Sequence, residues 1–353
     1  MIRKTRFYSK VKGKMPKGCQ FCVKGQKLVL FITGLCPNRC YFCPLSEKKF
    51  GKDVVFADEW MIKDPDDPVE LVKEAEFIGA KGAGITGGDP LTRIDRCIKY
   101  IKLLKKRFGK KFHIHLYTTL TLVNKRILKR LFDAGLDEIR FHPDLDNKKL
   151  WPRLKLAKAF DWDVGIEIPC IPGKEKQIKD LFDFAEGFVD FVNLNELEFS
   201  DTKVKHYDLS KFKKRNNLSY AVKGSEELAD KLLLYAEKKG FSVHFCSARL
   251  KDSVQLRQRI KRRAKSVARK FDFVSDDGTI LHGIIYGSPK KAKQLLLKNK
   301  VPRSLFEKED DAVVTAVSVV YEFRDKFKKA GLKPAIIEQY PTQDKTVVEV
   351  VFL

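Results

Sequence analysis

Three cysteines fall within eight positions of the segment GLCPNRCYFCPL: Cys36, Cys40 and Cys43. Thiolates bind zinc and iron–sulfur clusters alike, and most cysteine-built sites take four protein ligands. Three thiols from one loop imply either a fourth ligand elsewhere in the chain or a coordination place left open. Half of a structural zinc site, a disulfide framework and plain buried thiols are the competing readings. Of the eight cysteines in 353 residues, five lie between Cys19 and Cys43, which favours metal or redox chemistry over a disulfide scaffold.

A second donor set is spread wider. Cys19 and Cys22 lie in KGCQFCVKGQKLVLF, which can fold back as a hairpin through Lys24-Gly25-Gln26. Far along the chain, VHFCS places His244 and Cys246 on one face of a strand. Two or three thiolates and an imidazole suit zinc or an auxiliary iron–sulfur cluster. A cysteine pair in a turn and a buried Cys246 is the plainer alternative. Cys97 and Cys170 read as structural.

The elements that must position these groups alternate regularly. Strand-like runs at 27–33, 82–86, 112–119, 138–143, 164–169 and 191–198 are separated by helical patterns at 68–80, 92–108, 124–134, 148–160 and 175–188. Such βα repetition predicts an α/β fold with a parallel sheet, curled by right-handed crossovers into a partial, six-stranded (β/α) barrel. Period two along the strands sets Ile114, Leu116, Ile139, Phe141, Ile166 and Leu194 against His115, Tyr117, Thr119, Arg140, His142, Glu167, Asn193 and Asn195. The apolar set must pack under the helices, so the polar set points inward and lines a cavity; a satisfied polar network is the alternative.

The chain divides in sequence into a basic segment 1–26 carrying a cysteine pair, the barrel with its following basic helix at 27–270, and a small α+β unit at 271–353. Residues 199–225 read as a long loop suited to a lid. Asp277-Gly278 marks a hairpin. The net charge is +25, with ten Lys or Arg and no acid before Glu47, and ten basic residues against Asp252 alone in 249–270. Basic faces of this kind meet nucleic acid, although Lys-rich composition also accompanies heat adaptation. No run approaches the ~20 apolar residues of a membrane span, and the N-terminus lacks a secretory apolar region. A cytoplasmic location is the expectation.

With the strands in place, the cysteine loop and a second motif carry a family resemblance. Cys-x3-Cys-x2-Cys after the first strand, with Phe42 before the last cysteine, resembles the signature of the radical SAM enzymes. TGGDP after the second strand is similar to that family's glycine pair and acidic residue, with Asp89 where Glu is usual. VLFITGLCPNRCYFCPLS, HIHLYT, DEIRFHP and NLNELE look like a mainly archaeal group related to pyruvate formate-lyase activating enzymes.

The resemblance implies that Cys36, Cys40 and Cys43 hold three irons of a [4Fe–4S] cluster, and that S-adenosylmethionine chelates the fourth. One electron from a ferredoxin- or flavodoxin-like donor then releases a 5′-deoxyadenosyl radical that takes hydrogen from a substrate. Phe42 would run along the adenine, and Gly87, Gly88 and Asp89 would receive the methionine amino group. Thr119, Arg140, Glu167, Asn193 and Asn195 are assigned to cofactor or substrate on inward parity alone, and His115 and His142 to substrate. The leading substrate expectation is RNA, most naturally tRNA. The alternatives are a glycyl-radical partner protein, a metabolite, peptide or lipid precursor, and a non-catalytic zinc protein that binds RNA.

Overall fold

The computed structural model describes residues 1–353, in two compact units: Met1–Glu76 with Ala80–Leu256, and Phe77–Gly79 with Arg257–Leu353. In the first unit the six expected strands run parallel and adjacent, in sequence order: β1 (Lys27–Phe31), β2 (Gly82–Thr86), β3 (His113–Thr119), β4 (Glu138–His142), β5 (Asp163–Cys170) and β6 (Phe191–Glu196). A seventh, β7 (Ser242–Cys246), adds parallel to β6 and extends the barrel sheet beyond the six. Short antiparallel strands close both edges, Lys10–Lys12 on β7 and Val55–Ala57 on β1.

The N-terminal residues are therefore not a separate basic segment. Val11 is buried in the Lys10–Lys12 strand, and Lys10 pairs with Glu226 and Asp230. The expected hairpin at 24–26 is replaced by a helix, α1 (Lys17–Cys22), that turns directly into β1. Gly18 lets α1 press against the barrel interior, because a Cβ there would lie 2.5 Å from His115 and 2.6 Å from Arg140.

The connecting helices follow their sequence signals. Asn124 caps Lys125–Ala134 by accepting from Ile127 N at 3.0 Å, and Gly135 ends it at φ 97°. Residues Lys148–Ala159 wind as a 3-10 helix with Pro152 inside it. The loop expected at 199–225 contains a hairpin, Lys214–Asn216 with Ser219–Val222.

Nor is the basic stretch 249–270 one helix of the barrel. Ala248–Leu250 leads into a wide π turn, Lys251–Leu256, and only then comes the helix Arg257–Val267. That helix belongs to the second unit, where Lys261 pairs with Asp276 at 2.9 Å and its backbone abuts Gly278. The unit boundary thus falls after Leu256 instead of after residue 270.

The second unit is a six-stranded antiparallel sheet with helices Pro289–Lys298 and Val317–Lys329. Ile285, Leu296, Val313, Val320 and Phe327 form its core. No helix of the chain is long and apolar enough to cross a membrane.

Candidate functional site

Beyond β1 the chain passes through Thr33, Gly34 and Leu35 into the cysteine loop. Gly34 N donates to Lys52 O at 2.8 Å, and Gly51 N donates back to Gly34 O at 2.9 Å. A Cβ on Gly34 would sit 1.6 Å from Lys49 O, so only glycine allows this closure. Asp53 then anchors the turn to the helix beyond TGGDP, pairing with Arg93 at 2.8 Å and Arg96 at 2.7 Å.

The TGGDP loop lies backbone to backbone on the entry to the cysteine loop. Gly88 N donates to Thr33 O and Asp89 N to Leu35 O, both at 2.8 Å, and a Cβ on Gly88 would meet Leu35 O at 2.4 Å. The Asp89 side chain turns inward, accepting from Leu91 N at 3.0 Å, Thr118 Oγ1 at 2.8 Å and Thr119 Oγ1 at 2.6 Å. Burial raises the Asp89 pKa, while these donors oppose the rise. The acid is therefore a bracket between two strand ends, and the backbone of Gly87 and Gly88 faces the cavity.

That cavity, of about 800 Å³, is lined by Cys36, Cys40, Cys43, Phe42, Gly87, Gly88 and Thr119 at its mouth. Deeper in, His115, Tyr117, Arg140, His142, Glu167 and Asn195 line it. Room for the His115 ring comes from Gly84, where a Cβ would lie 2.6 Å from Nε2. Arg140 is nearly fully buried and bound on both sides, to Glu138 at 2.5 Å and Glu167 at 2.7 Å. Asn195 Nδ2 donates to the second oxygen of Glu167 at 2.9 Å. The His142 ring stands 5.7 Å from Phe42, and its Nδ1 is 2.9 Å from Glu167 O.

Sequence parity misses two lining residues, Lys251 and Gln255, which reach the cavity from the π turn. Glu138 and Lys27, at the starts of β4 and β1, are also missed. They share inward parity with Arg140 and Val29, so parity carried to each strand's first residue would have found them. Lys27 lies 2.9 Å from His113 Nδ1, and burial lowers its pKa to about 8.

Asn193, expected in the cofactor set, does not line the cavity. Its Oδ1 lies 2.6 Å from His244 Nδ1 and accepts from Cys19 Sγ at 3.8 Å, in the closed part of the barrel. The four donors proposed for a second metal site are likewise not gathered. Cys19 faces Asn193 and Arg140, Cys22 lines the cavity, and Cys246 packs with Val23 and Leu250 beside Gln255. His244 turns its Nδ1 to Asn193. The one group of His, Cys, Asp or Glu donors close enough to share an ion is His113, Glu138 and Asp163.

A strap crosses the cysteine loop from residues 200–208. Ser200 Oγ donates to Pro44 O at 3.2 Å, Thr202 Oγ1 to Leu45 O at 2.6 Å, and Asp208 N to Tyr41 O at 2.8 Å. All three cysteines of the loop are free thiols. Burial pushes Cys36 up to about 11 and Cys40 up to about 12, and raises Cys43. Their donor atoms do not converge on one ion-sized point. A cube of irons takes each thiolate on a different metal, so a wider triangle opening on a cavity suits it better than zinc.

Against known proteins, residues 30–185 match the radical SAM superfamily, and residues 278–353 match a family described as a domain of unknown function. A Methanocaldococcus jannaschii protein, provisionally named a glycyl-radical enzyme activating enzyme, is 40% identical over 354 residues, spanning 95% of this chain and 92% of its own length. A Staphylococcus aureus GTP 3′,8-cyclase is 33% identical over 187 residues, 49% of this chain and 54% of the cyclase. The crystal structure of Streptococcus suis SuiB bound to S-adenosylmethionine shares 17% identity with a TM-score of 0.46, over 63% of this chain and 50% of that one. The chain belongs to the radical SAM superfamily. It is thus a radical SAM enzyme, and the family uses a [4Fe–4S] cluster and S-adenosylmethionine.

Proposed function

We propose that Cys36, Cys40 and Cys43 hold the cluster, that the backbone of Phe42, Gly87 and Gly88 cradles S-adenosylmethionine, and that the radical is directed to a glycine of a partner protein. When bound, the two groups would supply an adenosyl radical able to abstract hydrogen, given one electron from a ferredoxin- or flavodoxin-like donor. The chain's own residues bind and enclose. Asp89, held by four donors, fixes the ends of β2 and β3 so that Thr119 and the glycine backbone stand still. Glu167 neutralises Arg140, and Asn195 fixes Glu167, leaving the Arg140 side of the deep wall polar and paired. His115 and His142 offer ring nitrogens toward a substrate.

The observation that carries the glycyl reading is the 40% identity to the activating-enzyme relative along nearly the whole of both chains. The second unit, which a short activating enzyme would not need, lies within that shared length. RNA finds less support. Of the basic residues in 249–270, Lys251 pairs with Glu198, Arg257 with Asp277, Lys261 with Asp276, and Arg269 with Glu307 and Glu309. Arg262 donates to the carbonyls of Ile78 and Gly79, and Arg249 lies over the Tyr8 ring. Few of these charges are left to meet phosphate.

Anaerobic incubation with dithionite, S-adenosylmethionine and a partner glycyl-radical protein labelled with Cα-deuterated glycine tests the proposal. Deuterium in 5′-deoxyadenosine is expected from the labelled partner, and a glycyl EPR doublet from the same partner without label. Unlabelled 5′-deoxyadenosine without the doublet would remove the glycyl target and leave the radical chemistry standing.

A further inference from the structure

At the closed end of the barrel, opposite the cysteine mouth, three neighbouring strands bring a histidine and two carboxylates together. His113 opens β3, Glu138 opens β4 and Asp163 opens β5, with Glu138 directly opposite Asp163 in the ladder. Their donor atoms all lie within 4.8 Å of one another. His113 is 7% exposed, its Nε2 has no hydrogen-bond partner, and that atom points at Glu138 Oε2, 3.4 Å away. A tetrahedral ion with ligands at about 2.1 Å spaces its donors roughly 3.4 Å apart. The geometry points to a divalent metal site, suited to zinc, formed by His113 Nε2, Glu138 and Asp163, with water completing the sphere from the exposed side of Asp163.

The surrounding groups hold these donors in the manner of an outer shell. Arg140 takes Glu138 Oε1 at 2.5 Å, and Gly18 N donates to Oε2 at 3.1 Å, so the carboxylate is fixed with lone pairs to spare. Lys27 Nζ stands 2.9 Å from His113 Nδ1 and also donates to His113 O at 2.9 Å.

Asp163 supplies what is otherwise missing. No lysine or arginine pairs with its carboxylate, which sits among Asp137, Asp161 and Asp190 as well as Glu138. An ion here would tie β3, β4 and β5 to α1 through Glu138 and Gly18. This site is separate from the cysteine cluster and does not depend on the glycyl target.

The test is calorimetric titration of Zn²⁺ into the full-length, anaerobically reconstituted protein after passage over chelating resin. Beside the wild type run Asp163→Asn and the double variant Cys19→Ala/Cys22→Ala. One zinc per chain in addition to cluster iron is expected. Asp163→Asn, whose side chain is exposed and unpaired, should fold normally by thermal melting and weaken that zinc at least about tenfold. The cysteine variant should bind as the wild type does. Absence of the zinc equivalent, unchanged affinity in Asp163→Asn, or loss of binding in the cysteine variant would each overturn the assignment.

Discussion

The mouth of the cavity and its deeper wall handle polar groups in opposite ways. At the mouth, Cys36, Cys40 and Cys43 are presented by a loop and kept as free thiols, with burial holding Cys40 near a pKa of about 12. Deeper in the cavity, Arg140, Glu138, Glu167 and Asn195 come from strands and satisfy one another at 2.5–2.9 Å. A loop that must accept a cofactor can leave its donors unspent, because nearby solvent limits the cost. A buried charge cannot wait for a partner, because an unpaired ion in a low dielectric costs several kcal/mol. The difference suggests that losing a cysteine at the mouth should damage chemistry and spare the fold, while losing a member of the deep network should first cost stability.

The sharpest break is Cys40→Ala. It should abolish cluster incorporation and 5′-deoxyadenosine formation outright, while the denaturant midpoint of the cluster-free protein barely moves. Retained cleavage of S-adenosylmethionine would undo the assignment of the cysteine loop.

Arg140→Met tests the deep network. It strands Glu138 and Glu167 inside the barrel, and a loss of about 3–5 kcal/mol in unfolding free energy is expected. Adding Glu138→Gln should recover part of it, since one stranded charge goes. A loss under ~1 kcal/mol would mean that water reaches the network.

Gly88→Ala probes the seam at the mouth. Its Cβ would approach Leu35 O to 2.4 Å, a backbone atom that cannot rotate away. About 1–3 kcal/mol of destabilisation is expected from forced backbone movement. Weaker binding of S-adenosylmethionine should accompany it in equilibrium dialysis; unchanged binding would separate the seam from the cofactor.

The smallest effect belongs to Asp53→Asn, at about 1 kcal/mol, because the pair is partly solvent-screened. Arg96, then Arg93 and Thr33, hold the Asp53 carboxyl well below its usual range, with burial opposing them. A depressed carboxylate stabilises the fold above its unfolded pKa of about 3.9, and that contribution fades as pH falls below it. The gap between wild type and variant, followed by urea unfolding, should therefore narrow from pH 5 toward pH 2. A gap independent of pH would show that the ion pair is not its source.

Much of this contrast can be read from residue order alone. The cysteine spacing, the glycine pair and the strand series are local patterns, so the mouth and six strands are legible. Inward parity correctly sends His115, Arg140, Glu167 and Asn195 to the cavity. It fails at Asn193, which shares their parity but sits too low on β6, where His244 claims it. Depth along a strand is set by register with neighbours, and one sequence carries no register. The basic stretch 249–270 misleads for a related reason. Its acids, Asp276, Asp277, Glu307 and Glu309, come from later in the chain, so the stretch looks unpaired until the second unit folds around it.

The strap from Ser200 to Asp208 has a bearing on how the enzyme matures. Its bonds to the carbonyls of Tyr41, Pro44 and Leu45 tie the cysteine loop to the chain that follows β6. Loading of iron and sulfide would then resemble filling a finished socket more than the coupled ordering of a disordered ligand peptide. Maturation should proceed in a single kinetic phase, with its rate set by delivery of the inorganic parts and not by rearrangement of the chain.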